Sequence, residues 1–220
     1  MKLQQTLDEM KASLKLSMQH GDVNVMHRAI ADLIASGQAL KAVQAGDHAP
    51  PFDLPDTRGR SISSVEMLKK GPLVVSFYRG IWCPFCNLEL RALEVALSEY
   101  ASRGASLVAI SPQLTSSTLR SVEDNAFTFP VLRDEGCEVA DAFGLRWTWP
   151  PDLRATYMRM AVNLAGFNGD ETWTSPVPAR YIIGQDGVVA YAEINPDYTQ
   201  RPEPEALFPI LDALRSVTVA

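Results

Sequence analysis

The segment 73–104 constrains the fold more than any other stretch, because it joins an apolar strand to a helix through two cysteines. LVVSFY (73–78) is a continuous apolar run of strand length, which is typical of a central buried strand. NLELRALEVALSEYASRG (87–104) has apolar residues at helical spacing and stops at a glycine. Cys83 is therefore predicted at a helix N-terminus, where free N–H groups and the helix dipole favour a thiolate, with Cys86 one turn later.

The remaining segments predict an α/β domain with a central mixed sheet flanked by helices. Further strands are predicted in ASLVAIS and FTFPVLRD, and a hairpin in ARYIIGQDGVVAYAEI. Helices are predicted in QLTSSTLRSVEDNA, EGCEVADAFG, DLRATYMRMAVNLAG and PEPEALFPILDALRSV. Residues 1–45 are predicted to be an N-terminal helical extension and residues 46–220 the main domain. The apolar helix faces of the extension need a partner, either the main domain or a second copy, and we expect a homodimer through these helices.

The composition argues against several classes of protein. With 46% hydrophobic and 21% charged residues among 220, the chain has the make-up of a soluble globular protein. A formal net charge of −6 and a pI near 5.1 argue against a nucleic-acid partner, which needs a basic patch. No apolar run reaches about 18 residues, so no membrane span is expected. The N-terminal residues lack the apolar core of a secretory signal, and we expect a cytoplasmic location.

Two cysteines at this spacing can form a redox pair, half of a zinc site, or two inert core thiols. A structural zinc site needs four ligands, and the other candidates are scattered: Cys137, His20, His27 and His48. Trp82 and Pro84 beside the first cysteine favour the redox interpretation, with Pro84 suited to a first helical turn. Cys137 lies between two glutamates, which raise a thiol pKa, and is expected to be structural.

The active-site segment LVVSFYRGIWCPFCNLELRAL resembles that of the peroxiredoxin-like branch of the AhpC/TSA family, within the thioredoxin superfamily. Other family segments are similar to GDHAPPFDLPD, GASLVAISPQ, FTFPVLRDEGCEVADAFGL, PVPARYIIGQDG and NPDYTQRPEPEAL. The resemblance implies a thioredoxin-like (peroxiredoxin-type) fold, redox-active cysteines and no bound cofactor. It implies an antioxidant peroxidase that reduces a hydroperoxide and forms a Cys83–Cys86 disulfide. A thioredoxin-, glutaredoxin- or low-molecular-weight thiol would then reset the pair.

The chain departs from the peroxiredoxin pattern in two positions. When P-x-x-x-T-x-x-C-x-x-E is laid on Cys86, Glu89 matches, but Arg79 replaces the proline and Cys83 replaces the threonine. This alignment assigns peroxide attack to Cys86, whereas position on the helix makes Cys83 the more acidic thiol. Both assignments stay open at the level of the sequence.

The late arginine of the peroxiredoxin pattern falls on Pro178, where thioredoxins carry a proline that is usually cis. A cis Val177–Pro178 bond facing the cysteines is therefore predicted. Arg180, two residues later, and Arg79 are candidate cations for a peroxide site, unless they pair with acids. Trp147, Trp149 and Trp173 are either an apolar wall near the site or core residues. The alternative functions are a thioredoxin-like disulfide reductase with little peroxidase activity and a redox sensor.

Overall fold

The computed structural model describes the backbone of residues 2–218 and the side chains of residues 2–215. The helices are α1 (Leu3–Ser17), α2 (His20–Ala35), α3 (Gln38–Lys41), α4 (Ser64–Leu68), α5 (Pro84–Ser102), α6 (Thr115–Asn125), α7 (Glu138–Ala142), α8 (Pro151–Arg159), α9 (Leu164–Asn168) and α10 (Phe208–Thr218). The strands are β1 (Asp53–Pro55), β2 (Ser61–Ser63), β3 (Leu73–Phe77), β4 (Ser106–Ser111), β5 (Val131–Arg133), β6 (Arg146–Thr148), β7 (Thr174–Pro176), β8 (Ala179–Ile183) and β9 (Val189–Ile194). Two 3₁₀ turns cover Glu135–Cys137 and Pro204–Leu207.

The central sheet has five strands in the order β5-β4-β3-β8-β9. β3 runs parallel to β4 and antiparallel to β8, so the sheet is mixed. Every residue of β3 is buried, because strands flank it on both sides and helices cover both faces. The prediction of a central strand at 73–78 is confirmed. Two short antiparallel pairs, β1 with β2 and β6 with β7, lie outside this sheet.

Side chains of β3 alternate between two apolar layers, as a strand period of two requires. Val74 packs with Leu90 and Leu93 of α5 on one face. Val75 packs on the other face with Phe143 and Tyr181. The helix that carries the cysteines is therefore fixed against the sheet along its length. This packing holds the end of β3 and the start of α5 in one place.

The N-terminal helices pack on their own chain. Leu3 and Leu7 of α1 are buried in the layer that contains α5. Met26 and Ala29 of α2 pack with Tyr157 of α8. Two ion pairs join α2 to the α8 region, Arg28 with Asp152 and Asp22 with Arg159. The main domain therefore covers these apolar faces.

The single helix predicted in DLRATYMRMAVNLAG is two helices, α8 and α9. Ala161 has φ of 59°, in the left-handed region, and ends the first helical stretch. The helix predicted in EGCEVADAFG begins as a 3₁₀ turn, and Cys137 has the same left-handed conformation before α7. Short α4 was not predicted. No described helix is long and apolar enough to cross a membrane.

The prediction of a cis Val177–Pro178 bond is wrong, since no peptide bond among the described residues is cis. The chain passes directly from β7 to β8 through this pair. The Val177 N–H donates to the Leu145 carbonyl (2.8 Å), and the Pro178 carbonyl accepts from the Asn195 N–H (3.2 Å). This extended pairing needs no reversal of chain direction, and the trans form is intrinsically preferred.

Candidate active site

The strand-to-helix connection brings Cys83 to the N-terminus of α5. Cys83 is the N-cap residue and Pro84 occupies the first turn, where its missing N–H costs nothing. Gly80 has φ of +137°, and a Cβ there would lie 2.6 Å from Nε1 of Trp82. Glycine at this position therefore lets the loop bend and lets the Trp82 ring lie over it. The Ile81 N–H donates to the Gln113 side chain (2.8 Å), which fixes the loop to the end of β4.

The two cysteines of the motif are adjacent free thiols with different acidity. Cys83 is 1% exposed and Cys86 is 0% exposed. Burial opposes ionisation of Cys83, but the Cys86 side chain as hydrogen-bond donor and the Arg79 charge lower the Cys83 pKa to about 6. Burial raises the pKa of Cys86, and the neighbouring Cys83 raises it further. Cys83 is therefore the more acidic of the two thiols.

Arg79 is a buried cation held by aromatic rings. Its guanidinium carbon lies 4.1 Å from the ring centroid of Tyr198 and 4.6 Å from that of Trp82. Trp149 and Tyr157 complete the set at 5.0 and 5.6 Å. We call these four rings the aromatic cage. Such cation–π contacts are each worth about 0.5–2 kcal/mol, which offsets part of the cost of burying the charge.

The Cys83 sulfur is the acidic group that faces this cation. Arg79 Nη1 lies 4.0 Å from the Cys83 Sγ, and Nη2 donates to the Tyr157 hydroxyl at 3.2 Å. Among the described ion pairs, none joins Arg79 to a carboxylate. An opposite charge at this range favours the ionised form of a thiol. Arg79 therefore supplies a positive charge that a thiolate, or an anion formed beside it, balances.

The other candidate cation, Arg180, belongs to a separate buried cluster. Its Nη2 donates to Glu89 Oε1 at 2.8 Å, and Arg201 Nε donates to Glu89 Oε2 at 2.6 Å. All three side chains are at most 2% exposed. We call this set the Glu89 cluster. Arg180 therefore pairs with an acid, as one alternative expected, but this acid is buried rather than on the surface. Arg79 pairs with none of the described carboxylates.

A cavity of about 480 Å³ lies over Cys83. Its floor is formed by Trp82, Tyr157 and Tyr198 of the cage and by Arg79, Cys83, Pro84 and Phe85, and α1 and α2 form much of its wall. We call it the helix-walled cavity. Cys86 and Pro178 are not among the described residues that line it. A small molecule in the cavity therefore meets Cys83 first.

The structure brings Arg79, Trp82, Cys83 and Pro84 of the sequence-predicted site together around one cavity. Sequence reasoning missed Tyr157, Tyr198 and Arg201, which come from distant parts of the chain. The last two lie in the DYTQR segment, to which no role had been given: Tyr198 covers Arg79 and Arg201 binds Glu89. The only sequence signal for Tyr198 and Arg201 was an aromatic and a cationic residue in a stretch of turn-like composition.

The remaining predicted residues divide between core and site. Trp149 is fully buried and packs edge-on against Trp82, with centroids 5.4 Å apart. It is not among the described residues that line the cavity, so it is a core residue behind the site. Trp173 contacts Trp149 from behind at 6.4 Å. Cys137 lies elsewhere, where its thiol accepts from the Thr174 hydroxyl at 3.8 Å. Burial raises the Cys137 pKa to about 12, so this thiol is protonated and unreactive.

A model of the AhpC/TSA family matches residues 45–192, about two thirds of the chain. The chain belongs to the AhpC/TSA family. This AhpC/TSA match starts after α3, so α1 and α2 precede the matched region. The crystal structure of peroxidoxin BcpB from Mycobacterium tuberculosis superposes with a TM-score of 0.62 at 22% identity, covering 80% of this chain and 98% of that one. The predicted thioredoxin-like fold of the peroxiredoxin type is confirmed.

This AhpC/TSA chain is similar in sequence both to a thiol-disulfide oxidoreductase and to peroxiredoxins. Thiol-disulfide oxidoreductase ResA of Halalkalibacterium halodurans is 35% identical over 106 residues, which are 47% of this chain and 58% of ResA. Peroxiredoxin Bcp of Escherichia coli is 28% identical over 118 residues, 54% of this chain and 74% of Bcp. The choice between these chemistries therefore depends on the geometry around the cysteines.

Proposed function

We propose that this protein is a thiol-dependent peroxidase that reduces hydroperoxides through Cys83 and Cys86. The observation that carries the proposal is the placement of Cys83. It is the acidic thiol, it faces the unpaired Arg79 charge, and it lies on the floor of a cavity of small-molecule size. Peroxiredoxin relatives support the same activity.

In the first step the Cys83 thiolate attacks the terminal oxygen of a hydroperoxide. An S–O bond forms and the O–O bond breaks, which gives a Cys83 sulfenic acid and an alkoxide that takes a proton from water. Negative charge passes from the sulfur to the leaving oxygen during this step. Arg79 lies beside both positions and stabilises that charge without rearrangement. Burial raises the pKa of Tyr198, which keeps its hydroxyl protonated and able to donate.

In the second step the Cys86 thiol condenses with the sulfenic acid. The S–O bond breaks, the Cys83–Cys86 disulfide forms and water leaves with the Cys86 proton. The raised pKa of Cys86 suits this order, because a protonated thiol does not compete for the peroxide. An external dithiol or two monothiols then reduce the disulfide and are oxidised in turn. Because Cys83 is buried under α1 and α2, a low-molecular-weight thiol is the favoured reductant over thioredoxin or glutaredoxin.

The second candidate function is thiol–disulfide exchange with a protein, which the identity to ResA favours. Such a substrate must bring its own sulfur in line with the attacking thiolate. Cys83 is 1% exposed, and the N-terminal helices stand over it. A protein disulfide reaches it only if these helices move. The geometry favours the peroxidase.

We further propose a cytoplasmic location and a homodimer. All three cysteines are free thiols, in keeping with a reducing compartment. On the N-terminal extension, Leu16 is 90% exposed and Leu40 is 84% exposed. Two large apolar side chains left in water on the same extension support a contact with a second copy.

Stopped-flow oxidation of three proteins by hydrogen peroxide tests the peroxidase proposal. Wild type should form the disulfide, and Cys86→Ser should stop at a sulfenic acid that dimedone traps for mass spectrometry. Cys83→Ser should lose the reaction, because burial still raises the pKa of Cys86 and neither Cys86 nor Cys137 lines the cavity.

Cys137→Ser is the control and should react like wild type. If Cys83→Ser reacts as fast as wild type, the alignment with Cys86 as the attacking residue is right and the assignment proposed here is wrong. If wild type ignores peroxide but reduces insulin disulfides, the exchange function replaces the peroxidase.

A further inference from the structure

Half of the residues that line the helix-walled cavity precede the AhpC/TSA match. Val23, Met26 and Ile30 of α2 line one side, and Leu14 and Met18 at the end of α1 lie between the helices. These side chains are apolar, so they offer contact area to a ligand with apolar surface to bury. The charged side chains of Asp8, Lys11 and Lys15 also line the cavity, and those of Asp8 and Lys15 are exposed.

The C-terminal segment holds both helices in place over Cys83. Lys11 of α1 donates to the Thr199 hydroxyl at 2.9 Å. The Tyr198 hydroxyl lies 3.8 Å from the Met26 sulfur of α2. These contacts fix both helices, so the cavity is a formed part of the fold rather than a gap between loose helices.

Hydrogen peroxide does not need such a space. Its two oxygens fit beside Arg79 and Cys83, whereas the cavity volume of about 480 Å³ lies in the range typical of small-molecule sites, about 300–1,000 Å³. An apolar wall contributes binding energy only to a ligand with apolar surface to bury. The polar end of such a ligand must lie near Arg79, because this charge is at the floor of the cavity.

We infer that α1 and α2 form a binding site for the hydrocarbon chain of an organic hydroperoxide. The –OOH group lies at Cys83 beside Arg79, and the chain extends between Ile30, Val23 and Met18 towards the mouth. This inference rests on the proposed peroxidase activity for its chemistry, but chain binding itself does not require turnover. The attack transfers the terminal oxygen to sulfur, and the alcohol that forms keeps the chain.

The test compares n-butyl and n-decyl hydroperoxide on the full-length protein. The second-order rate constant for Cys83 oxidation should rise by about fourfold for each methylene that becomes buried, and the decyl compound should react at least about tenfold faster. In Ile30→Glu this decyl-to-butyl ratio should fall towards one, because a carboxylate replaces part of the apolar wall. Ile30→Gln should give a smaller fall in the same direction and checks the effect without added charge.

Ile34→Glu is the matched control, one turn further along α2, where the side chain is 57% exposed and does not line the cavity. It should keep the wild-type ratio. Circular dichroism melting of all variants shows that they are folded. Titration calorimetry with 1-decanol on reduced wild type should detect binding that Ile30→Glu weakens at least tenfold.

Equal rates for the two hydroperoxides together with no binding of 1-decanol would overturn the inference and leave the peroxidase intact. Binding of 1-decanol that depends on Ile30, without any oxidation of Cys83 by peroxide, would overturn the proposed function and support the chain-binding site.

Discussion

Arg79 brings a full positive charge into a part of the protein that water does not reach. It is 2% exposed, and aromatic faces surround it instead of carboxylates. A carboxylate in that place would neutralise the guanidinium and remove its effect on sulfur. The rings leave the charge available while they exclude solvent, so the field at Cys83 is little screened. The hydrogen bond from Cys86 is the largest contribution that lowers the Cys83 pKa, and the charge of Arg79 is the next.

The first prediction at this scale concerns the pH dependence of Cys83. Only the thiolate reacts with iodoacetamide, so in wild type the alkylation rate of Cys83 should rise with pH through a midpoint near 6 and be lost as the pH falls below it. Arg79→Gln removes the cation and should raise that midpoint by about 1–3 pH units. Peptide mapping by mass spectrometry gives the rate at Cys83 alone.

Arg91→Gln is the control for Arg79→Gln, since Arg91 is an exposed arginine on α5. It should leave the midpoint where it is. An Arg79→Gln protein with an unchanged midpoint would contradict the role given to this cation.

Single residues also show how far the sequence alone leads. The acidity order of Cys83 and Cys86 agrees with their positions relative to the start of α5, but its main causes are the hydrogen bond from Cys86 and the charge of Arg79. The partner of Arg180 was not predictable in that way, because Glu89 is 91 residues away along the chain. Strand alternation gives the face on which a side chain lies, but the acid it meets depends on how helix and sheet pack.

At the scale of elements, the Glu89 cluster joins three parts of the fold. Glu89 belongs to α5, Arg180 to β8, and Arg201 to the segment before α10. Glu89 is 2% exposed, so the burial of its carboxylate would oppose ionisation, but the two guanidinium groups lower its pKa. The cluster fixes the active-site helix to the sheet and to the C-terminal segment that carries Tyr198.

We predict that Glu89→Gln lowers the free energy of unfolding by about 3–5 kcal/mol, because two buried guanidinium groups lose their counter-charge. Urea denaturation monitored by circular dichroism measures the loss. Glu66→Gln removes an exposed pair with Lys69, in which both side chains are 63% exposed, and should cost less than about 1 kcal/mol. A similar small loss for both variants would show that the buried cluster does not stabilise the fold.

The helices and strands that the sequence predicted best are those with a clear pattern of apolar residues. The continuous apolar run of β3 and the helical spacing of α5 gave both elements and their order. The prediction for Val177–Pro178 failed because it came from the analogy with thioredoxins, whereas the pairing of Val177 with Leu145 and of Pro178 with Asn195 determines the local backbone. The break between α8 and α9 depends on the left-handed Ala161, for which an alanine gives no warning.

For the whole molecule, the proposed dimer gives the last prediction. A double variant, Leu16→Glu with Leu40→Glu, places charges on the exposed apolar positions of the extension and should shift the mass in light scattering from dimer to monomer. Val95→Glu on α5, 84% exposed, changes an equally exposed apolar residue outside the extension and should leave the mass unchanged. A monomeric wild type, or a double variant of unchanged mass, would exclude a dimer through these residues.

The contacts between the N-terminal helices and the C-terminal segment have a consequence for synthesis on the ribosome. Glu203 caps the start of α1, accepting from the backbone N–H groups of Leu3 (2.9 Å) and Gln4 (3.2 Å). The five strands of the sheet end at Ile194, before Tyr198 and Glu203 have been translated. The sheet and α5 are therefore synthesised before the segment that holds α1 in place. Cys83 becomes enclosed only once residues 198–203 have packed against the N-terminal helices.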